Sequence, residues 1–136
     1  MVRLKHLFII LILSCAAACS AGHETTRSTD IEQAFSQKAK DVSVTGDGTV
    51  TRILSDDTDG SPHQRFILKV ASGRTILVSH NIELAPRIEN LKTGDTVSFS
   101  GEYVWNEQGG LIHWTHHDPS NRHTAGWLRH NGKTYQ

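Results

Sequence analysis

Apolar and polar residues alternate in short runs between residues 42 and 114. Phe66 and Leu68 belong to one such run, and Val97 and Phe99 belong to another. A period of two places successive side chains on opposite faces of a β-strand, so that one face can pack in a core while the other meets water. Glycine-containing turns separate the runs, and several short strands with regular turns predict an all-β barrel or sandwich.

A short helix is predicted before the first strand, from about Asp30 to about Asp41, because Ile31 and Ala34 have helical spacing after a polar start. The first strand contains Gly46 and Gly48, which favour a bend. Five strands are predicted in total. They cover residues 42–53, 63–70, 76–80, 97–105 and 111–114.

The number of strands, the bent first strand and a closing hairpin at Gly109-Gly110 predict a mainly β fold. The best match is a small five-stranded barrel like the oligonucleotide/oligosaccharide-binding (OB) barrel, with one N-terminal helix and a loop-rich C-terminal cap. An SH3-like barrel or a small sandwich is the alternative. Tyr103 and Trp105 are predicted to be core residues. The strand residues predicted to point inward are Phe66, Leu68, Val97, Phe99, Ile112 and Trp114.

The first 19 residues have the pattern of an export signal. Arg3 and Lys5 are followed by the apolar run Leu7–Leu13, which is too short to span a membrane as a helix. Cys19 follows three alanines and resembles the lipid-modified cysteine of bacterial lipoproteins. We therefore predict a periplasmic protein that is anchored to a bacterial membrane by a lipid on Cys19 alone. Cys15 as the lipidated residue, or ordinary cleavage after Ala21, are the alternatives.

The domain organisation follows from this assignment. Residues 1–19 are the predicted signal peptide, 20–28 a flexible tether rich in small and polar residues, and 29–136 a single OB-like domain. Cleavage before Cys19 leaves 12 basic and 14 acidic residues, a balance that does not favour nucleic-acid binding. Cys15 and Cys19 are the only cysteines, so the body of the protein has no cysteine nucleophile and no disulfide.

Several strings of the chain are similar to those of small exported bacterial proteins classed only as a domain of unknown function. The strings are His63–Phe66, Ser79–Ile88, Gly101–Asn106, Gly109–Pro119 and Gly126–Gln136. The resemblance covers nearly all of the chain from about Gly46, and the turn at Gly94-Asp95 resembles small periplasmic OB-fold proteins. It implies membership of that family and an OB-like fold, and it brings no activity or catalytic residue with it.

Histidine is the most unusual component, with nine in the chain and five in the last 24 residues. Neutral imidazole and carboxylate groups are ligands for zinc and related metals. The sequence therefore predicts a site for a divalent transition metal such as zinc. Its candidate ligands are His63, His80, His113, His116, His117 and Asp118. Strand alternation would place His113 and His117 on one face and His116 on the other. In the alternative interpretation, these histidines bond to backbone and carboxylate groups of the cap.

Three further residues are candidates for ligand binding: Arg65, Arg87 and Trp114. Arg87 would hold an anion, or would pair with Glu83 or Glu89.

Two functions are consistent with this sequence. The first is an exported binding module of the cell envelope whose partner is an unknown ligand or envelope protein. The second is a metal-dependent hydrolase or nuclease that uses the histidine cluster, with Arg65 or Arg87 on a phosphate.

Overall fold

A computed structural model describes residues 30–136, so the predicted signal peptide, tether and lipidation site at Cys19 lie outside the described residues. This part of the chain contains one helix and seven strands. In chain order these are α1 (Ile31–Ser36), β1 (Lys40–Ile53), β2 (His63–Lys69), β3 (Thr75–Asn81), β4 (Thr96–Val104), β5 (Leu111–His113), β6 (Trp127–His130) and β7 (Lys133–Tyr135).

The first five strands form a closed barrel. β1 pairs antiparallel with β2 and with β4, β2 pairs antiparallel with β3, and β5 lies between β3 and β4. The contact between β3 and β5 is parallel, so the circuit runs β1-β2-β3-β5-β4-β1. The predicted mainly β fold with a small five-stranded barrel and one N-terminal helix is confirmed.

The barrel interior is filled by the inward-facing residues of every strand. Phe66, Leu68, Val97, Phe99 and Ile112 are fully buried, as the alternation predicted. Tyr103 is also buried and donates its hydroxyl hydrogen to the carbonyl oxygen of Gly109 at 3.0 Å. Trp105 is only half-buried and packs against the edge of the core.

The prediction that Trp114 belongs to the core is wrong. β5 ends at His113, and Trp114 adopts a left-handed backbone conformation with a φ of 52°. This breaks the strand alternation, so that both Thr115 and His116 are buried while Trp114 is half-exposed. His117 is exposed and does not share a strand face with His113.

Helix α1 is shorter than predicted because the chain turns sharply after Ser36. Asp30 caps its start, its carboxylate accepting the backbone N–H of Glu32 at 2.8 Å. Lys38 has a φ of 51°, which ends the helical conformation before β1 begins at Lys40. The helix buries Ile31 and Ala34 against the barrel.

The C-terminal cap begins as a loop over residues 114–126, which we call the cap loop. It then forms a hairpin that the sequence analysis did not predict, with β6 pairing to β4 and to β7. Asn131 and Gly132 connect the two strands with φ values of 49° and 76°. Positive φ at both central residues is the signature of the type I′ turn, for which Asn-Gly is a strong signal.

Candidate functional site

His80, one of the predicted metal ligands, has both ring nitrogens engaged within the protein. Nε2 lies 3.1 Å from the carbonyl oxygen of Pro86, and Nδ1 lies 2.7 Å from the Thr115 hydroxyl. A carbonyl oxygen only accepts, so Nε2 donates its hydrogen and Nδ1 accepts one from Thr115. Burial lowers the pKa of His80 to about 4. This neutral, fully bonded imidazole ties β3 to the cap loop.

The predicted ligands His63, His116 and Asp118 also make bonds to the backbone. His63 Nδ1 donates to the Ser61 carbonyl oxygen at 2.6 Å, and His116 Nδ1 donates to that of His117 at 2.7 Å. The Asp118 carboxylate accepts the Ser120 hydroxyl and the backbone N–H groups of three cap-loop residues, and these bonds lower its pKa. His116 and Asp118 therefore organise the cap loop, whereas His63 contacts the segment between β1 and β2.

The two candidate arginines contact neighbouring loops. Arg65 donates from Nε to the carbonyl oxygen of Ser55 at 3.0 Å. Arg87 forms an ion pair with Asp56, rather than with Glu83 or Glu89. Both side chains therefore brace the segment between β1 and β2.

One group of three potential metal ligands is present within residues 30–136. Asp41, Glu102 and His113 each offer one donor atom, and these atoms lie within 4.8 Å of one another. We call these three residues the donor group. His113 is its only member among the six predicted ligands, and the structure does not bring the other five into such a group.

Strand register explains how the donor group forms. Glu102 of β4 is paired with His113 of β5 on one side and with Ser43 of β1 on the other. Because paired residues point to the same face, Glu102 and His113 both project from the outer wall of the barrel. Asp41 occupies a β-bulge between Lys40 and Val42 and has a φ of 56°. A bulge redirects a side chain, and here it adds the third donor.

The cap loop holds Glu102 in place through His123. Glu102 Oε1 accepts a hydrogen bond from His123 Nδ1 at 2.8 Å, and the His123 ring stacks on Trp114 with centroids 3.8 Å apart. The other carboxylate oxygen, Oε2, lies 4.0 Å from His113 Nε2. The Glu102 side chain is only 13% exposed. One oxygen of the carboxylate is thus committed to the cap loop while the other faces His113.

The electrostatics of the donor group suit a cation. Burial lowers the pKa of His113, which favours the neutral form of its imidazole. Its Nε2 atom is buried and has no hydrogen-bond partner within the described residues. Two carboxylates beside a neutral imidazole can neutralise and coordinate a divalent ion.

Sequence reasoning missed Asp41, Glu102 and His123 at this site. Glu102 is visible as an outward position of the fourth predicted strand, but its partner across the sheet depends on the register. The role of Asp41 depends on a β-bulge that no local sequence pattern predicts.

A second feature is a cleft on a different wall of the barrel, which we call the outer cleft. It lies between the outer face of β2 and β3 and the loop that joins β4 to β5. Its main lining residues are Leu54, Ile67, Leu77, Asn106 and Gln108. Arg65 lies two residues before Ile67 on the same strand face.

Together, the barrel, the donor group and the outer cleft define a small, mainly β protein with two candidate sites on its outer surface. No helix within residues 30–136 is long and apolar enough to cross a membrane. The chain belongs to the family described as "Protein of unknown function (DUF3465)", whose model matches residues 9–136. No curated protein and no solved structure matches the chain.

Proposed function

We propose that the protein is an exported, lipid-anchored OB-like binding module of the bacterial cell envelope. The observation that carries this proposal is the position of the outer cleft. OB barrels bind their ligands on the face of strands two and three and with the loops after strands one and four. The outer cleft has this position in a barrel whose circuit is β1-β2-β3-β5-β4-β1. The signal-like pattern of residues 1–19 supports export.

The chemistry of the outer cleft favours a segment of an envelope protein over a polyanion. Ile67 and Leu77 are directly paired across β2 and β3, and Leu54 extends this apolar floor. Asn106 and Gln108 add polar amide groups at the edge. An apolar floor with a few polar groups is typical of a specific binding surface. The neutral composition of the chain agrees with such a partner.

Site-specific photo-crosslinking in cells tests this proposal. A photoreactive amino acid at position 77, on the floor of the cleft, should give one discrete cross-linked product. The same amino acid at position 133, an exposed position on β7, is the matched control and should not give it. Ile67→Asp should abolish the product because it places a charge on the cleft floor. Equal labelling from positions 77 and 133 would contradict the proposal.

A metal-dependent hydrolase is the second candidate, favoured by the donor group. Catalytic zinc is commonly held by three protein ligands and keeps one position for water, whose pKa it lowers towards 7. However, Arg65 and Arg87 are bonded to Ser55 and Asp56, so neither is placed to hold a phosphate at the donor group. Zinc-dependent hydrolysis of a phosphodiester or ester that Glu102→Gln abolishes would establish this function, and its absence would leave the binding module.

A further inference from the structure

We propose that Asp41, Glu102 and His113 form a binding site for a divalent transition metal ion on the outer wall of the barrel. The site lies on β1, β4 and β5, whereas the outer cleft is centred on β2 and β3. It shares only His113 with the set of metal ligands that the sequence predicted.

The distances are close to those of a metal centre. Ligands that hold zinc tetrahedrally at about 2.0–2.2 Å are about 3.4 Å apart from one another. Glu102 Oε2 and His113 Nε2 are 4.0 Å apart, and all three donor atoms lie within 4.8 Å. Small rotations of the side chains would therefore complete the geometry without a change in the backbone.

The unpartnered nitrogen of His113 is the second observation that indicates a ligand. Nε2 is buried and makes no hydrogen bond within residues 30–136. Buried polar atoms in folded proteins nearly always have a partner, because an unmade bond is unfavourable. A metal ion between His113 and Glu102 would use the lone pair of this nitrogen and explain why it has no other partner.

A hydrogen bond from the cap loop fixes the orientation of the Glu102 carboxylate. His123 donates to Oε1, and the other oxygen, Oε2, lies 4.0 Å from His113 Nε2. Hydrogen bonds of this kind orient the ligands of metal centres and tune their affinity. Asp41 is exposed, so an ion can reach the site from solvent on that side.

The donor set selects a class of metal. One imidazole and two carboxylates suit zinc and other divalent transition metals. Calcium and magnesium prefer oxygen ligands alone, so the imidazole discriminates against them. The site contains no sulfur, which the soft ion copper(I) prefers. Zinc should therefore bind more tightly than calcium.

Titration calorimetry of the full chain in detergent, with zinc and then with calcium, tests the site. Wild-type protein should bind one zinc ion, and more tightly than calcium. Removing a group that only orients a ligand typically costs about 10–100-fold in metal affinity. Asp41→Asn replaces a charged carboxylate with a neutral amide, and His113→Gln removes the imidazole nitrogen, so each should weaken zinc binding about 100-fold. His117→Gln is the matched control, because His117 is an exposed histidine outside the donor group, and it should bind zinc like the wild type.

Circular dichroism confirms that each variant is folded. Asp41 is exposed, and asparagine tolerates the positive φ at this position, so Asp41→Asn keeps the test valid if His113→Gln does not fold. Three results would overturn the inference: no zinc binding by the wild type, undiminished binding by Asp41→Asn, or a loss confined to His117→Gln. Equal affinity for calcium and zinc would overturn the assignment to a transition metal.

Discussion

At the scale of single residues, His80 shows how one buried imidazole can be structural in a chain rich in histidine. It is fully buried and bonded on both sides, to Thr115 and to Pro86. His113 differs, because its buried nitrogen has no such partner within the described residues. Counting histidines cannot separate these two roles, since the difference lies in what surrounds each ring after folding.

The depressed pKa of His80 predicts a loss of stability in acid. The folded-state pKa is about 4, whereas an unperturbed histidine has a pKa of about 6.5. Between these two values, His80 binds a proton in the unfolded chain but not in the folded chain. The contribution of neutral His80 is complete above pH 6.5 and is lost as the pH falls towards 4. The shift corresponds to about 3 kcal/mol at most.

Urea unfolding of the wild type and of His80→Gln between pH 7.5 and 4 measures this effect. The free energy of unfolding should fall more steeply with decreasing pH in the wild type than in the variant. His117→Gln is the control, since His117 is exposed and is not among the groups whose charge acts on His80, and this variant should keep the steep fall of the wild type. Parallel curves for wild type and His80→Gln would show that protonation of His80 does not affect the free energy of unfolding in this pH range.

At the scale of secondary structure, local patterns predicted the barrel strands well and the donor group poorly. Period-two alternation located β1 to β5 because one face of each strand fills the interior. The contact between Glu102 and His113 depends instead on the register between β4 and β5, which the whole barrel sets. Trp114 was misplaced because its left-handed conformation ends the alternation two residues after Ile112.

The hairpin of β6 and β7 gives a prediction at the same scale. Gly132 has a φ of 76°, and a Cβ atom there would meet nothing within 4 Å. Replacing it with alanine therefore costs only conformational strain, about 1–2 kcal/mol for a residue in the left-handed region. Asparagine tolerates this region much better, so Gly132→Asn is the matched control. Thermal melting should rank wild type above Gly132→Asn and both above Gly132→Ala. Equal melting of Ala and Asn variants would contradict the turn assignment.

At the scale of the whole molecule, the two candidate sites lie on different walls of one barrel. The outer cleft uses the faces of β2 and β3, and the donor group uses β1, β4 and β5 together with the cap loop. Substitutions at sites that share no contacts usually have independent effects. A change at Ile67 should therefore leave zinc binding intact, and a change at Asp41 should leave cross-linking from the cleft intact.

The predicted attachment of the protein to a membrane through a lipid can be decided by one measurement. Cys19 follows three small residues after an apolar run, and a lipid there would place the domain at a membrane surface. Mass spectrometry of the membrane fraction should find a mature chain that begins at Cys19 and carries acyl chains. Cys19→Ser should release the protein from this fraction, because it removes the residue that would carry the acyl chains. Cys15→Ser is the matched control and should remain membrane-bound. An unacylated mature chain that begins at Gly22 would show ordinary signal cleavage and refute the lipid anchor.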